Sequence, residues 1–186
     1  LRYYCCLCLG PTGSGKTALL KKLSGNKDTD EYSSTVPTVG TSLTTIKIKE
    51  QQKIIIRELG GEMAPLWHQY YDGINKIIYV VDASNLCQIS AAGVLLYDLL
   101  AQPKLQKAKV IKSLIYLHLN NSHKAVVLLY NENDPKDLSS FLILEKEIPQ
   151  TITILETSAV TGEGMEPMLE WLQSNVTVTF KEPSSS

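Results

Sequence analysis

The sequence predicts a doubly wound α/β domain, and three observations lead to this fold class. Its 186 residues are enough for one domain with a hydrophobic core of its own. Hydrophobic residues make up 44% and charged residues 20%, which is typical of globular proteins and excludes bulk disorder, collagen and coiled coil. Short apolar runs alternate with longer segments of helical periodicity, as in βαβ units. We therefore expect a six-stranded, mostly parallel sheet flanked by about five helices.

The strands follow from the apolar runs. The runs at 76–82 and 124–130 are apolar apart from charged residues at their ends, which is typical of central strands covered on both faces. The segment at 42–49 alternates and pairs with 53–57 as a hairpin, so it supplies the one antiparallel edge strand. The six predicted strands are 3–9, 42–49, 53–57, 76–82, 124–130 and 151–156.

The helices lie between these strands. The last helix shows the period most clearly, because its apolar residues recur three and four positions apart along one face. The predicted helices are 16–23, 88–101, 137–147 and 165–175. Residues 103–123 fit this plan less well and are interpreted as an extra helix or a surface insertion in a domain spanning 1–176. The alternatives are a basic amphipathic interaction segment and a gene-model error. Residues 177–186 are expected to be a flexible tail.

Charge and cysteine content exclude several functions. The net charge is −1, so the composition shows no nucleic-acid-binding footprint. No apolar run approaches the roughly 18 residues that a spanning helix needs. Cys5, Cys6 and Cys8 crowd one predicted strand, whereas Cys87 is distant, which is not a disulfide framework and suits a reducing compartment. We expect the three clustered cysteines to pack in the core rather than to hold a metal, with S-acylation as a weaker alternative.

A phosphate-binding loop joins the first strand to the first helix. Residues 10–17, Gly-Pro-Thr-Gly-Ser-Gly-Lys-Thr, match the pattern G-x-x-x-x-G-K-[ST]. The glycines let backbone N–H groups surround phosphate oxygens, and the helix N-terminus adds partial positive charge. Lys16 is expected to reach the β- and γ-phosphates, and the Thr17 hydroxyl to bind Mg²⁺. The expected nucleotide contacts in this loop are Gly10, Pro11, Thr12, Gly13, Ser14, Gly15, Lys16 and Thr17.

Two further segments are placed to sense a γ-phosphate. Thr38 lies in a segment that follows a polar stretch and precedes the hairpin. Gly60 and Gly61 end the next strand, where two glycines let the main chain approach a phosphate closely. A threonine hydroxyl on one loop and the Gly61 N–H on another would contact the same group, and such loops order with a triphosphate and relax on its loss.

Two later strand ends favour guanine over adenine. Asn131 and Asp134 follow one strand, and Ser158 and Ala159 follow the next, at the ends where α/β sheets bind ligands. The Asp134 carboxylate can accept both N–H groups of guanine's Watson–Crick edge, and adenine offers no such pair. The Ala159 N–H can bond guanine O6.

With these motifs, the chain resembles the ADP-ribosylation factor (Arf) family of small GTPases. The resemblance covers nearly the whole chain except 103–123, and its most specific part is 65–71, Pro-Leu-Trp-His-Gln-Tyr-Tyr. It implies a P-loop fold, a GTP/GDP switch with Mg²⁺, an exchange factor, a GTPase-activating protein and effectors that bind the switch regions.

The chain departs from that family at two positions near the γ-phosphate. Glu58 stands where the family usually has the Asp that holds Mg²⁺ through water, so the implied metal residues are Thr17, Thr38 and Glu58. Glu62 stands where a Gln usually orients the attacking water, and an ionised carboxylate donates no hydrogen bond. The expected catalytic residues are thus Lys16, Gly61 and Glu62, with slow hydrolysis; the opposing interpretation makes Glu62 a base whose pKa the phosphate raises.

Other departures from the family concern the residues expected to bind the guanine base and the partner proteins. Glu132 replaces the Lys of the family's Asn-Lys-x-Asp motif, which puts nucleotide affinity in question. Three aromatic residues that often dock effectors correspond here to Thr41, Arg57 and Tyr70, only one of which is aromatic. The family's myristoylated N-terminal helix is not visible, which leaves two interpretations: the given sequence starts after it, or any membrane attachment is indirect.

The sequence thus predicts a cytoplasmic, monomeric GTP-binding switch, peripherally associated with membranes at most, with slow or deficient hydrolysis. The main alternative is an interaction scaffold that holds nucleotide constitutively or not at all. A P-loop kinase for a small molecule is less favoured, because Arg2 and Arg57 are the only arginines to serve as lid residues.

Overall fold

The fold is given by a computed structural model, which describes residues 6–25, 36–49, 52–74, 76–82, 84–107, 125–129 and 153–173. Six strands, four α-helices and one 3₁₀ helix occur within these residues. In chain order they are β1 (Cys6–Leu9), α1 (Lys16–Leu23), β2 (Thr41–Lys49), β3 (Gln52–Leu59), the 3₁₀ helix (Gly61–Tyr70), β4 (Lys76–Asp82), α2 (Leu86–Leu100), α3 (Pro103–Lys107), β5 (Ala125–Leu129), β6 (Thr153–Thr157) and α4 (Met165–Gln173).

The strands form one sheet in the order β2-β3-β1-β4-β5-β6. β1 lies at its centre and runs parallel to both β3 and β4. β2 is antiparallel to β3 and occupies one edge, as the hairpin pattern predicts. All four residues of β1 are buried, because helices cover the sheet on both faces.

Alternation along the central strands divides the core into two layers. On one face, Leu7 and Leu9 of β1 pack with residues of the 3₁₀ helix, α2 and α3. On the other face, Cys6 and Cys8 pack with α1 and α4. Successive strand residues point to opposite faces, so one strand serves both layers. The predicted core packing of the cysteines is confirmed for Cys6 and Cys8, whereas Cys5 lies outside the described residues.

The direction of β5 corrects the expectation of a mostly parallel sheet with a single antiparallel strand. β5 is antiparallel to both of its neighbours, β4 and β6. An apolar run reads alike in both directions, so its composition cannot set the direction of a strand. The direction of a strand is set by the connection that leads into it. The connection from β4 to β5 contains α3 after α2, so it is longer than a crossover with a single helix.

The predicted insertion at 103–123 is described only in part. Residues Pro103–Lys107 form α3, and Leu105 is buried in the layer that contains α2. The remainder of that segment, the predicted helix at 137–147 and the tail at 177–186 lie outside the described residues. Among the described helices, none combines the length and the hydropathy needed to cross a bilayer.

Candidate nucleotide-binding site

The phosphate loop leaves β1 and enters α1 as the motif predicts. Gly10 has a φ of 144°, in the range that favours glycine. A Cβ atom on this residue would collide with the Val80 carbonyl oxygen of β4. The loop therefore crosses the neighbouring strand so closely that only glycine fits at its first position.

Lys16 begins α1 and is turned back onto the loop. Its Nζ donates to the Gly10 carbonyl at 2.9 Å and to the Pro11 carbonyl at 2.6 Å, and the residue is only 5% exposed. Burial lowers the pKa of the Lys16 ammonium, and the nearby Cys8 and Glu58 oppose that shift. The amine is thus held at the loop, beside the position where phosphate oxygens would lie.

The three predicted metal residues converge on one another. The Thr17 hydroxyl donates to Glu58 Oε1 at 2.6 Å, and the Thr38 hydroxyl donates to the same oxygen at 3.1 Å. The two hydroxyl oxygens lie 3.1 Å apart. Two hydroxyls and one carboxylate are hard oxygen donors, so this set fits Mg²⁺. No cluster of three or more His, Cys, Asp or Glu residues that could hold a metal occurs in the described part of the chain.

The double glycine joins three segments. The Gly60 N–H donates to the Gly40 carbonyl at 2.9 Å, and a Cβ on Gly60 would collide with the Thr38 carbonyl. A Cβ on Gly61 would lie 2.6 Å from the Pro11 carbonyl carbon and 2.6 Å from the Thr12 hydroxyl oxygen. Gly61 therefore packs directly on the phosphate loop.

These segments enclose one cleft. Most of the residues predicted for phosphate and metal binding line it, together with two residues of the segment before Thr38. The lining residues are Thr12, Gly13, Gly15, Lys16, Thr17, Val36, Pro37, Thr38, Glu58 and Gly61. Gly10, Pro11 and Ser14 form the loop behind it, where they contact Lys16.

Glu62, the third predicted catalytic residue, is exposed and does not line the cleft. It follows Gly61 in the first turn of the 3₁₀ helix. Its role in hydrolysis remains a prediction.

The segment 60–71, which we call the second switch, contains the 3₁₀ helix, and its aromatic residues divide between core and surface. Trp67 is 2% exposed, and its Nε1 donates to the Gly60 carbonyl at 3.1 Å. Tyr71 is buried in the same layer, whereas Tyr70 is half-buried with the Arg57 guanidinium 5.4 Å from its ring centre. Trp67 is therefore a core residue.

The predicted base pocket is described at one of its two strand ends. Thr157 of β6 pairs with Ala125, which pairs with Asp82 at the end of β4, so Ser158 and Ala159 follow β6 at the phosphate-loop edge. Lys22 of α1 donates to the Val160 carbonyl at 3.4 Å, which ties this loop to α1. Asn131 and Asp134 lie outside the described residues, and β5 ends at Leu129, near the other edge.

Sequence reasoning missed Gln88. Its Nε2 donates to the Thr12 carbonyl at 2.6 Å, so α2 reaches the phosphate loop. The available signal was positional: Gln88 lies in the first turn of a helix that follows β4 at the phosphate-loop edge. Asp82, at the end of β4, accepts hydrogen bonds from the Ser84 backbone N–H and hydroxyl, as a strand-end cap does.

A phosphate loop, two glycine-rich or threonine-bearing segments that meet it and a parallel strand core define this chain as a P-loop protein of the small GTPase type. The chain belongs to the ADP-ribosylation factor family, whose model matches residues 2–176. It therefore binds GTP and GDP with Mg²⁺, and it shares the family's general role as a GTP-binding switch.

Several relatives show the same affiliation. Human ADP-ribosylation factor-like protein 16 is 38% identical over 184 residues, covering 91% of this chain and 84% of the relative. ADP-ribosylation factor-like protein 1 of Caenorhabditis elegans is 30% identical over 172 residues, covering 91% and 87%. A similar solved structure is the Arl6 BBS3 small GTPase from Trypanosoma brucei with the nucleotide analogue GppNp, with a TM-score of 0.45, 23% identity and coverage of 54% of this chain and 56% of that chain.

Proposed function

We propose that this protein is an Arf-like GTP switch whose intrinsic GTP hydrolysis is slow. The observation that carries the proposal is the residue after Gly61. Glu62 occupies the position that orients the attacking water in the related family, yet an ionised carboxylate cannot donate a hydrogen bond. It would also place negative charge near the γ-phosphate, and losing a positioning group commonly costs two or more orders of magnitude in rate.

Hydrolysis, when it occurs, would be an in-line attack of water on the γ-phosphate. Lys16 and the backbone N–H groups of Gly13 and Gly15 would stabilise the charge on the phosphate oxygens. Bound Mg²⁺ would supply further neutralisation of the phosphates. Thr17, Thr38 and Glu58 would hold that ion, because their oxygens already lie within 3.1 Å of one another.

Guanine selectivity is proposed to come from Asn131 and Asp134 on one side and from Ser158 and Ala159 on the other. The position of Ser158 and Ala159 at the phosphate-loop edge supports this arrangement. The carboxylate of Asp134 would accept from both N–H groups of the guanine edge.

The partners are proposed from the surface of the switches. Val39 is 90% exposed in the segment before β2, and Leu43 of β2 and Leu66 of the 3₁₀ helix are about half exposed. Effectors, an exchange factor and a GTPase-activating protein would bind here, on a surface where Thr41, Arg57 and Tyr70 replace the common aromatic set. We propose a cytoplasmic monomer that regulates protein partners or membrane traffic, with indirect, peripheral membrane association and no nucleic acid.

The first experiment is equilibrium binding of labelled GTP, GDP and ATP with and without Mg²⁺. Lys16→Ala should abolish nucleotide binding, because the lysine that would contact the phosphates is lost. Lys21→Ala is the matched control, because Lys21 lies on the exposed side of the same helix. Guanine-selective, Mg²⁺-dependent binding that is lost only in the Lys16 variant is expected. A folded wild-type protein that binds none of the three nucleotides would overturn the proposal.

One observation favours a second candidate, a nucleotide-free scaffold. The polar groups of the cleft are paired with each other: Lys16 with two carbonyls, and Glu58 with two hydroxyls. Such pairing lets the site persist without a ligand. The nucleotide content of protein purified without added nucleotide separates the candidates: bound guanine nucleotide supports a loaded state, and its absence in folded protein supports the scaffold.

A further inference from the structure

The first turn of α2 makes a direct contact with the phosphate loop through Gln88. The Nε2 of Gln88 lies 2.6 Å from the Thr12 carbonyl oxygen. The same nitrogen would be 3.6 Å from a Cβ atom on Gly13. A carbonyl oxygen can only accept, so the side-chain amide must present its NH₂ group to Thr12, and its orientation is fixed.

The other end of this amide is buried without a partner. Among the described residues, Gln88 Oε1 has no hydrogen-bond donor within reach. Burying an unpaired acceptor is unfavourable, so a glutamine with no function beyond the fold would be a poor choice at this position. The side chain is therefore held by one strong bond to the phosphate loop, not by a satisfied local network.

Thr12 is also the residue against which Gly61 packs. Cβ atoms on Gly61 would collide with the Thr12 nitrogen and hydroxyl. The backbone of Thr12 thus lies between two elements: Gln88 donates to its carbonyl oxygen, and Gly61 abuts its nitrogen. Thr12 and Gly61 both line the cleft, at the point where the phosphate loop meets the second switch.

We propose that Gln88 is a positioning residue that sets the preference of this site for a nucleoside triphosphate over a diphosphate. It acts by fixing the backbone of Thr12 against Gly61, at the place where the protein would contact the γ-phosphate. A diphosphate lacks that contact and depends on the later N–H groups of the loop, so its affinity is less sensitive to Gln88. This inference rests on the proposed nucleotide site.

The test compares three variants by the ratio of GTP to GDP affinity. Gln88→Met keeps the length of the side chain and removes its polar atoms. Gln88→Glu keeps an acceptor, removes the donor to Thr12 and adds negative charge. Gln102→Met is the matched control, because Gln102 Nε2 also donates to a backbone carbonyl, that of Asp98. This hydrogen bond lies at the C-terminal end of α2, whereas Gln88 lies in the first turn. Labelled GTP and GDP are titrated in Mg²⁺, and thermal unfolding is measured for each nucleotide-free protein.

Gln88→Met is expected to weaken GTP binding about tenfold and GDP binding less than about threefold, since one hydrogen bond is lost on the γ-phosphate side. Gln88→Glu should lower the ratio further, and Gln102→Met should leave it unchanged. Equal losses for GTP and GDP in Gln88→Met, or an unchanged ratio with lower thermal stability, would show a merely structural role and overturn the inference while leaving the nucleotide site intact. Failure of the wild-type protein to bind either nucleotide would overturn both.

Discussion

At the scale of single residues, the burial of Glu58 has consequences for its neighbours. The residue is 1% exposed and pairs in register with Cys8 of β1. Burial raises the pKa of the Cys8 thiol well above its usual value, and the Glu58 carboxylate adds to that shift. A buried carboxylate needs hydrogen bonds, and the hydroxyls of Thr17 and Thr38 supply them. Glu58 therefore links the start of α1 to the segment that carries Thr38.

Replacing Glu58 tests that link. Glu58→Ala should weaken Mg²⁺ binding at least about tenfold, because a protein carboxylate is lost from the metal's surroundings. It should also destabilise the protein by roughly 1–3 kcal/mol, since two hydroxyls lose their shared acceptor. Mg²⁺ titration of the dissociation rate of labelled GDP, together with urea unfolding, measures both effects. Glu166→Ala, at an exposed position of α4, is the control. Unchanged Mg²⁺ dependence would exclude Glu58 from the metal site.

Glu62 allows a direct test of slow hydrolysis. Glu62→Gln should raise the rate of single-turnover GTP hydrolysis by about two orders of magnitude, because a carboxamide can both donate and accept when it orients water. Released phosphate is followed at saturating Mg²⁺ in the absence of any activating protein. A wild-type rate equal to or above that of the variant would contradict the proposal and would support the alternative in which Glu62 acts as a base.

At the scale of elements, the 3₁₀ helix is fixed by Trp67. The indole is buried in the core layer that contains Leu7 and Leu9 of β1, and its N–H donates to the Gly60 carbonyl. Trp67→Phe should cost roughly 1–3 kcal/mol, because the Gly60 carbonyl loses a buried donor and the smaller ring leaves space. Urea unfolding measures the loss, and Leu66→Ala, next to it but 45% exposed, should change stability by less than about 1 kcal/mol. An effect of Trp67→Phe no larger than that of Leu66→Ala would argue against this role.

The contact between β4 and α2 gives a prediction for alkaline pH. The Tyr79 hydroxyl donates to the Ala92 carbonyl at 2.7 Å, and burial raises the pKa of Tyr79 well above its ordinary value of about 10. The unfolded chain loses this proton above about pH 10, whereas the folded protein keeps it. Stability should therefore fall with rising pH, by up to about 1.4 kcal/mol per pH unit for this tyrosine.

Tyr79→Phe isolates that contribution. Near neutral pH the variant should be less stable by about 1 kcal/mol, because it lacks the hydrogen bond. Above about pH 10 the difference should shrink and then reverse, since phenylalanine has no proton to lose. Unfolding free energies of both proteins across this range supply the comparison. Tyr97→Phe, on the exposed face of α2, should show no such reversal. A difference independent of pH would contradict the expected shift.

At the scale of the whole molecule, the direction of β5 decides what the base pocket requires. β5 spans Ala125–Leu129 and ends near the edge away from the phosphate loop. The four residue steps of β5 cover about 14 Å, which is the distance back from Leu129 to the phosphate-loop edge. The five residue steps from Leu129 to Asp134 can span about 17 Å when extended. The proposed guanine contact is therefore within the length that these five steps can span.

Asp134→Asn tests the contact. Asparagine offers one donor and one acceptor, which match the carbonyl and N–H of xanthine but not the two N–H groups of guanine. The variant should lose at least about tenfold in GTP affinity and gain affinity for xanthosine triphosphate. Competition binding with both nucleotides measures the change, and Asp137→Asn is a control in the same segment. Retained preference for GTP would place Asp134 outside the pocket and would accord with a β5 that carries the chain away from it.

The sequence contains most of the information about the local elements near the phosphate site. The motif at 10–17 predicts a glycine loop between a strand and a helix, because its glycines and lysine have narrow conformational and chemical roles. In the sequence, Thr38 precedes the first strand of the hairpin and Glu58 follows the second, and the structure brings both to Thr17. The roles of these side chains toward nucleotide and metal remain proposals.

What the sequence by itself determined about this protein is its fold class and its family, because the apolar periodicity and the phosphate-loop motif are local properties of the chain. Only the tertiary structure decided the direction of β5, the buried position of Trp67 and the contact of Gln88 with Thr12. Each of these depends on residues far apart in sequence, whose meeting is fixed by how the connections return to the sheet and which faces pack together. An apolar run, a lone indole and a helical glutamine carry no local mark of such a meeting.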